Sequence, residues 1–371
     1  ETEKLQEMGQ ALQEAGVNTD NLAKNTEELQ KQYDRLQKSQ EKVAAINEKI
    51  DKNNAAIAQT KSQLTGTIGA IAAVGTAIYA GPVKKASEFQ EQMSGVKAIS
   101  GATTEEIAQL SNKAKEMGAS TKFTATEAGQ AMEYMAMAGW KTEDMLGGIE
   151  GIMNLAAASG EDLASVSDIV TDALTAFGLS ASDAGHFSDV LAQASSNANT
   201  NVSMMGSTFQ KVAPVAGALG YSVEDMSLGI GLMANASIKA EVAGTSLKTA
   251  LANMAKPTDA QAAAMKKYGI SLTNTDGSMK SFGDVVKNLR SSLGGLSEAE
   301  QVAAATTIFG KESFAGMLAI VNASEADFNK LTDAVYNCDG AAKQMAETKL
   351  DNLNGSITLA QSAFDALQVE L

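Results

Sequence analysis

Apolar residues recur at strict seven-residue intervals from Leu22 through Leu29, Leu36, Val43, Ile50, Ile57 and Leu64, and the column continues to Ile71 and Ile78. A heptad sustained this long predicts a helix that supercoils left-handedly with partners. Leu5 and Leu12 keep the interval but lie three residues out of phase, as a stammer would leave them. The second column is poor: Asn25, Gln32, Tyr33, Ser39, Gln40, Asn47 and Asn54 stand where a seam needs apolar side chains, and only Ile46 and, later, Ile68 and Val74 strengthen it. One good apolar residue per heptad makes an isolated dimer marginal. The arm, residues 1–61, is therefore expected to join a parallel homo-oligomeric bundle or to be held inside something else. A trimer fits, and the pattern does not separate it from a hexamer. At 1.5 Å per residue the arm would be roughly 90 Å long.

Residues 62–85 change character, with no charge from Ser62 to Val83. Gly66, Gly69 and Gly75 space out Ile68, Ile71, Val74 and Ile78, a pattern that lets helices approach closely. The length suits a bilayer-spanning helix. Gln63, Thr65, Thr67, Thr76 and many alanines make it only mildly apolar, and a tightly packed helix in a soluble oligomer is the alternative. Gly81-Pro82 ends or kinks it.

From about residue 86 to 350 the pattern becomes a series of short to medium helices. Thr103, Thr124, Thr258 and Ser297 each stand three residues before Glu or Gln, the capping-box spacing, and Ser180, Ser222 and Ser324 precede Asp in the same way. Gly118, Gly139, Gly160, Gly178 and Gly220 sit where helices are expected to stop. An alternating run from Ile270 to Met279 around Asp276-Gly277 predicts one small β-hairpin. Residues 351–371 read as the start of a further helical segment. The expected fold is all-α: a long N-terminal coiled-coil helix followed by a helical bundle.

That bundle carries an internal duplication. Gly139-Trp140, then Glu143-Asp144-Met145 and Gly148-Ile149, returns as Gly220-Tyr221, Glu224-Asp225-Met226 and Gly229-Ile230. Ala119 to Thr124 is echoed by Ala198 to Ser203. Repetition at this period is the mark of a duplicated helical unit. Trp140 and Tyr221 hold equivalent positions and are read as anchors that pin a helix end, with partner contact the alternative.

Composition narrows the chemistry. Three prolines and 5% aromatic residues suit an almost wholly helical protein with a core of small aliphatic side chains and methionine. Met132, Met135, Met137, Met145 and Met153 fall at helical spacing and are expected in that core. A net charge of −15 argues against nucleic-acid binding, which needs clustered Lys and Arg. The carboxylate pairs Glu105-Glu106, Glu143-Asp144, Glu161-Asp162 and Glu224-Asp225 lie at helix starts, where negative charge meets the positive end of the dipole. One histidine, His186, and one cysteine, Cys338, exclude His-pair and all-cysteine metal sites. They also leave no Cys–His pair unless the fold happens to bring those two together. Cys338 reads as a small buried apolar residue. No catalytic residue, cofactor or metal site is assigned. Glu1 in place of Met, and an apolar periodicity still running at Leu371, suggest a piece of a longer protein.

Gly217-Ala-Leu-Gly220-Tyr-Ser-Val-Glu-Asp-Met226, Ala243-Gly-Thr-Ser-Leu-Lys-Thr-Ala-Leu251 and Pro257 resemble the phage tail tape measure family of the TP901 type. Tyr268-Gly-Ile270, Asp276-Gly277, Ile308-Phe309-Gly310 and the phrase Lys349 to Ser356 follow in the family's order. The likeness runs from about 86 to 361, with the arm and uncharged segment also family-like. It implies a structural tail protein that occupies the tube lumen in several copies, sets tube length and leaves ahead of DNA. The implied partners are the tail tube protein, tail assembly chaperones, tail-tip or baseplate hub proteins and the host membrane. The implied location is the virion, with host cytoplasm during assembly and the host envelope on infection. A helical pore-forming protein acting through residues 62–83 is the competing expectation.

Overall fold

A computed structural model describes residues 84–370, all of them in helices, turns and loops. The heptad column from Leu22 to Leu64 and the uncharged segment around Gly66 to Ile78 lie outside the described residues. In chain order the helices are α1 (Lys84–Ser100), α2 (Thr104–Ser120), α3 (Ala125–Met137), α4 (Thr142–Ser159) and α5 (Leu163–Phe177). After a 3₁₀ turn at Ala181–Asp183 come α6 (Ala184–Asn197), α7 (Val202–Ala218), α8 (Val223–Asn235), α9 (Ala240–Ala255) and α10 (Asp259–Lys267). The remainder are α11 (Phe282–Leu293), α12 (Glu298–Phe309), α13 (Phe314–Val321), α14 (Glu325–Tyr336), α15 (Ala341–Leu350) and α16 (Leu353–Glu370). Among the described residues no helix is long and apolar enough to cross a membrane.

The helix starts follow the capping chemistry of the sequence. Thr103, Thr124 and Thr258 accept from the backbone N–H three residues on, while Glu106, Glu127 and Gln261 accept from the N–H of the cap residue. Each exchange satisfies two N–H groups that a helix cannot bond internally. At the 3₁₀ turn only half of this exchange forms: Asp183 Oδ2 accepts from Ser180 N at 2.8 Å and from Ser180 Oγ at 2.7 Å, one step ahead of α6. Gly139, Gly160, Gly178 and Gly220 take positive φ at helix ends, as expected of stops. Gly118 does not: α2 runs through it to Ser120, and an added Cβ there would lie 2.5 Å from Ala125 N. It is a close-approach position between α2 and the start of α3.

The hairpin expected over 270–279 is reduced to a turn. Gly277 has φ +87, and a single antiparallel bridge joins Thr273 to Met279. The flanking residues are largely exposed and nothing extends the pairing into a sheet, so two short arms gain little by extending.

The core gathers around α6 and α8. Helix α6 packs against α4, α8, α14 and α15, and α8 packs against α6, α11, α13 and α14. In α8 only Glu224 and Asn235 escape burial, so this helix is apolar nearly all round and sits at the centre. Helix α11 shows the other regime, burying Phe282, Val285, Val286, Leu289 and Leu293 on one stripe. Met132, Met135, Met145 and Met153 are fully buried, whereas Met137, at the last position of α3, is 57% exposed. Cys338 is buried with its thiol free.

Candidate functional site

The doubled phrase forms two corners of like build. In the first, α3 stops at Gly139 (φ +88), Trp140 N–H donates to Met135 O at 3.0 Å, and α4 begins. In the second, α7 stops at Gly220 (φ +77), Tyr221 N–H donates to Ala216 O at 2.9 Å, and α8 begins. Trp140 and Tyr221 are both buried, at 8% and 4% exposure. An added Cβ at Gly148 would lie 2.4 Å from Trp140 Cζ3, so the indole rests on the glycine one helical stretch below it. At the equivalent Gly229 the neighbour is Phe282, with Cε1 2.8 Å from an added Cβ. Tyr221 packs edge-on to that same Phe282 ring, with centroids 5.8 Å apart. The second corner thus recruits α11 where the first uses its own aromatic residue.

The acidic residues diverge in the same way. Asp144 accepts from Lys141 N at 2.9 Å and does no more than cap α4. Asp225 caps α8 by accepting from Ser222 N at 3.1 Å, and its other oxygen accepts from Phe282 N at 3.0 Å and Tyr336 Oη at 2.6 Å. This buried carboxylate ties α8 to the first residue of α11 and the last of α14. Burial, and then the charge of Asp225, push the Tyr336 phenol far above its ordinary pKa, so it stays a donor. The Tyr221 hydroxyl, also buried, finds no partner among the described residues.

Beside this node the fold brings the two rare residues together. His186 on α6 points one ring nitrogen, Nε2, at Glu224 Oε1 (2.5 Å) and the other, Nδ1, at Asp339 Oδ1 (3.3 Å). Donor atoms of His186, Cys338 and Asp339 all lie within 4.8 Å of one another. Burial alone would lower the imidazole pKa, but the bonds and charges of Glu224 and Asp339 outweigh it and hold it above the ordinary value. Burial would raise Glu224, yet bonds from Ser222 and His186 bring it below the usual carboxylate range. Burial, with Asp189, Asp339 and Glu224 nearby, pushes the Cys338 thiol up to about 12. A neutral, buried thiol of this kind is a poor nucleophile. Nothing in the sequence pairs positions 186 and 338; only α6, α14 and α15 meeting in the core does so.

Two clefts remain. One of about 160 Å³ lies between α5 and α7 beside Ile169, Asp172 and Phe209. The other, about 280 Å³, lies beside Lys85, Thr124 and Asp365. Both fall below the roughly 300–1,000 Å³ of small-molecule sites.

Comparison with known proteins places this architecture. Residues 111–310 match the model of the family described as phage-related minor tail protein. The chain is 40% identical over 290 residues to the tape measure protein of Pneumococcus phage Dp-1, covering 78% of this chain and 25% of that protein. It is 26% identical over 325 residues to a probable tape measure protein of Escherichia phage P2, covering 84% of this chain and 40% of that protein. The chain thus spans well under half the length of either relative. No solved structure matches the chain significantly. With more than half of its length matched by that family model, and a helical core to go with it, the chain belongs to the phage-related minor tail protein family.

Proposed function

We propose that this chain is part of a tail tape measure protein of a phage or phage-tail-like particle. In this reading several copies occupy the tail tube lumen, their length sets the tube length, and they leave ahead of the DNA on host entry. The observation that carries it is the 40% identity over 290 residues to a protein named as a tape measure protein, joined to a seven-residue apolar column upstream. A helix has a fixed rise per residue, which makes it a ruler, and a weak seam suffices where a surrounding tube confines the bundle. In this reading the role is structural. Its partners are further copies of itself, the tail tube protein, assembly chaperones and hub proteins of the tail tip or baseplate. Trp140 and Tyr221 serve as anchors that hold the two corners of the core.

The test is a clean in-register deletion of four heptads from residues 22–57 in the phage that carries the gene. Tails should shorten by about 42 Å at 1.5 Å per residue, measured in electron micrographs. Tails of unchanged length would overturn the reading. A second reading, insertion into a bilayer, rests on the uncharged span from Ser62 to Val83. It predicts dye leakage from anionic liposomes, and absence of leakage across pH and lipid composition would dismiss it.

A further inference from the structure

We propose that His186, Cys338 and Asp339 form a binding site for a divalent transition metal, with zinc the ion best matched to this nitrogen, sulfur and oxygen donor set. Their donor atoms already lie within 4.8 Å of one another. A tetrahedral ion with bonds of about 2.0–2.3 Å needs them about 3.5 Å apart, so closure by roughly 1 Å completes the set. The Cys338-Asp339 pair sits in the turn between α14 and α15, and that turn is already fastened to α6. Asp189, one helical turn beyond His186, accepts from Gly340 N and Ala342 N, both at 2.8 Å. The ligand-bearing helix and the ligand-bearing turn are therefore held in register by a carboxylate outside the donor set.

The histidine is oriented too. With Nε2–H donating to Glu224 Oε1, the lone pair falls on Nδ1, the nitrogen that faces Asp339. A carboxylate behind a ligating histidine is the usual second layer of a metal site, fixing tautomer and ring angle. Binding would convert the Cys338 thiol to thiolate, with its proton released to solvent. The Asp339 side chain is 95% exposed and that of His186 is 46% exposed, so the open side faces water, which takes the fourth position. The ion would clip α6 to a turn about 150 residues further along the chain.

The full 371-residue chain, freed of metal, is titrated with Zn²⁺ by calorimetry and with Co²⁺ by absorption spectroscopy. One equivalent should bind, and cobalt should give a thiolate charge-transfer band with the visible bands of a four-coordinate ion. Cys338→Ser should abolish the charge-transfer band. Asp339→Asn changes an exposed side chain, leaves the fold intact by circular dichroism, and should weaken zinc binding at least tenfold. Glu224→Gln should keep one equivalent but weaken it about 10- to 100-fold. Absence of stoichiometric binding, a wild-type cobalt spectrum without the thiolate band, or undiminished zinc affinity in Asp339→Asn would overturn the assignment.

Discussion

Asp144 and Asp225 occupy the same place in the two copies of one phrase, which makes each a control for the other. Asp144→Ala removes one cap bond, from Lys141 N, and should cost about 1 kcal/mol. Asp225→Ala removes the corresponding cap bond from Ser222 N and also the bonds from Phe282 N and Tyr336 Oη. Bonds to a charged acceptor contribute about 1.5–3 kcal/mol each, and the buried Phe282 N–H left behind is stranded away from water. Relief of the carboxylate's own desolvation offsets part of that, leaving an expected loss of about 3–5 kcal/mol. Guanidinium denaturation of the full chain, followed by circular dichroism and by Trp140 fluorescence, measures both variants under one protocol. Tyr336→Phe tests the same node from the other side: it should cost about 1.5–3 kcal/mol in the wild type and almost nothing on the Asp225→Ala background. Equal losses in Asp144→Ala and Asp225→Ala would refute the argument that the second corner alone ties α8 to α11 and α14.

Gly148→Ala places a methyl group inside the Trp140 ring and should destabilise by about 1–3 kcal/mol. Because Trp140 is the sole tryptophan, its emission should shift to the red as the ring is displaced, and an unshifted spectrum would mean that the corner relaxes at no cost. Acid should weaken the helix starts: bonds from Thr103 hold Glu106 low, and bonds from Ser297 hold Glu300 low. Groups with depressed folded pKa values stabilise fully above the ordinary glutamate value of about 4.3, and that contribution is lost as pH falls through the depressed values. Thermal melts between pH 7 and pH 3 should therefore show a shallower acid decline in Glu106→Gln and Glu300→Gln than in the wild type, and identical declines would count against these caps.

Much of the local structure was legible because it is set within a few residues. A hydroxyl three residues before Glu or Gln marks a helix start, since both partners belong to one turn, and Thr103, Thr124 and Thr258 open α2, α3 and α10 in this way. The duplication was legible for the same reason, as a repeated phrase of stops and starts. Where a local rule met packing, packing prevailed. Gly118 carries the residue type of a stop but lies inside α2, against the start of α3. Pro214 lies inside α7, and because both Pro214 and Gln210 are exposed, the carbonyl deprived of its helical donor is on the water-facing side.

The divergence of the two copies was not legible at all. Sequence alone makes Asp144 and Asp225 equal caps, and Gly148 and Gly229 equal contacts. Only the docking of α11 and α14 onto α8 turns one of each pair into a buried junction, and that docking depends on apolar stripes more than fifty residues away, whose periodicity names a face but not its partner. The meeting of His186 with Cys338 has the same origin. Residue type and spacing determined helices, caps, repeat and family; which side chains share a site was decided by how the helices pack.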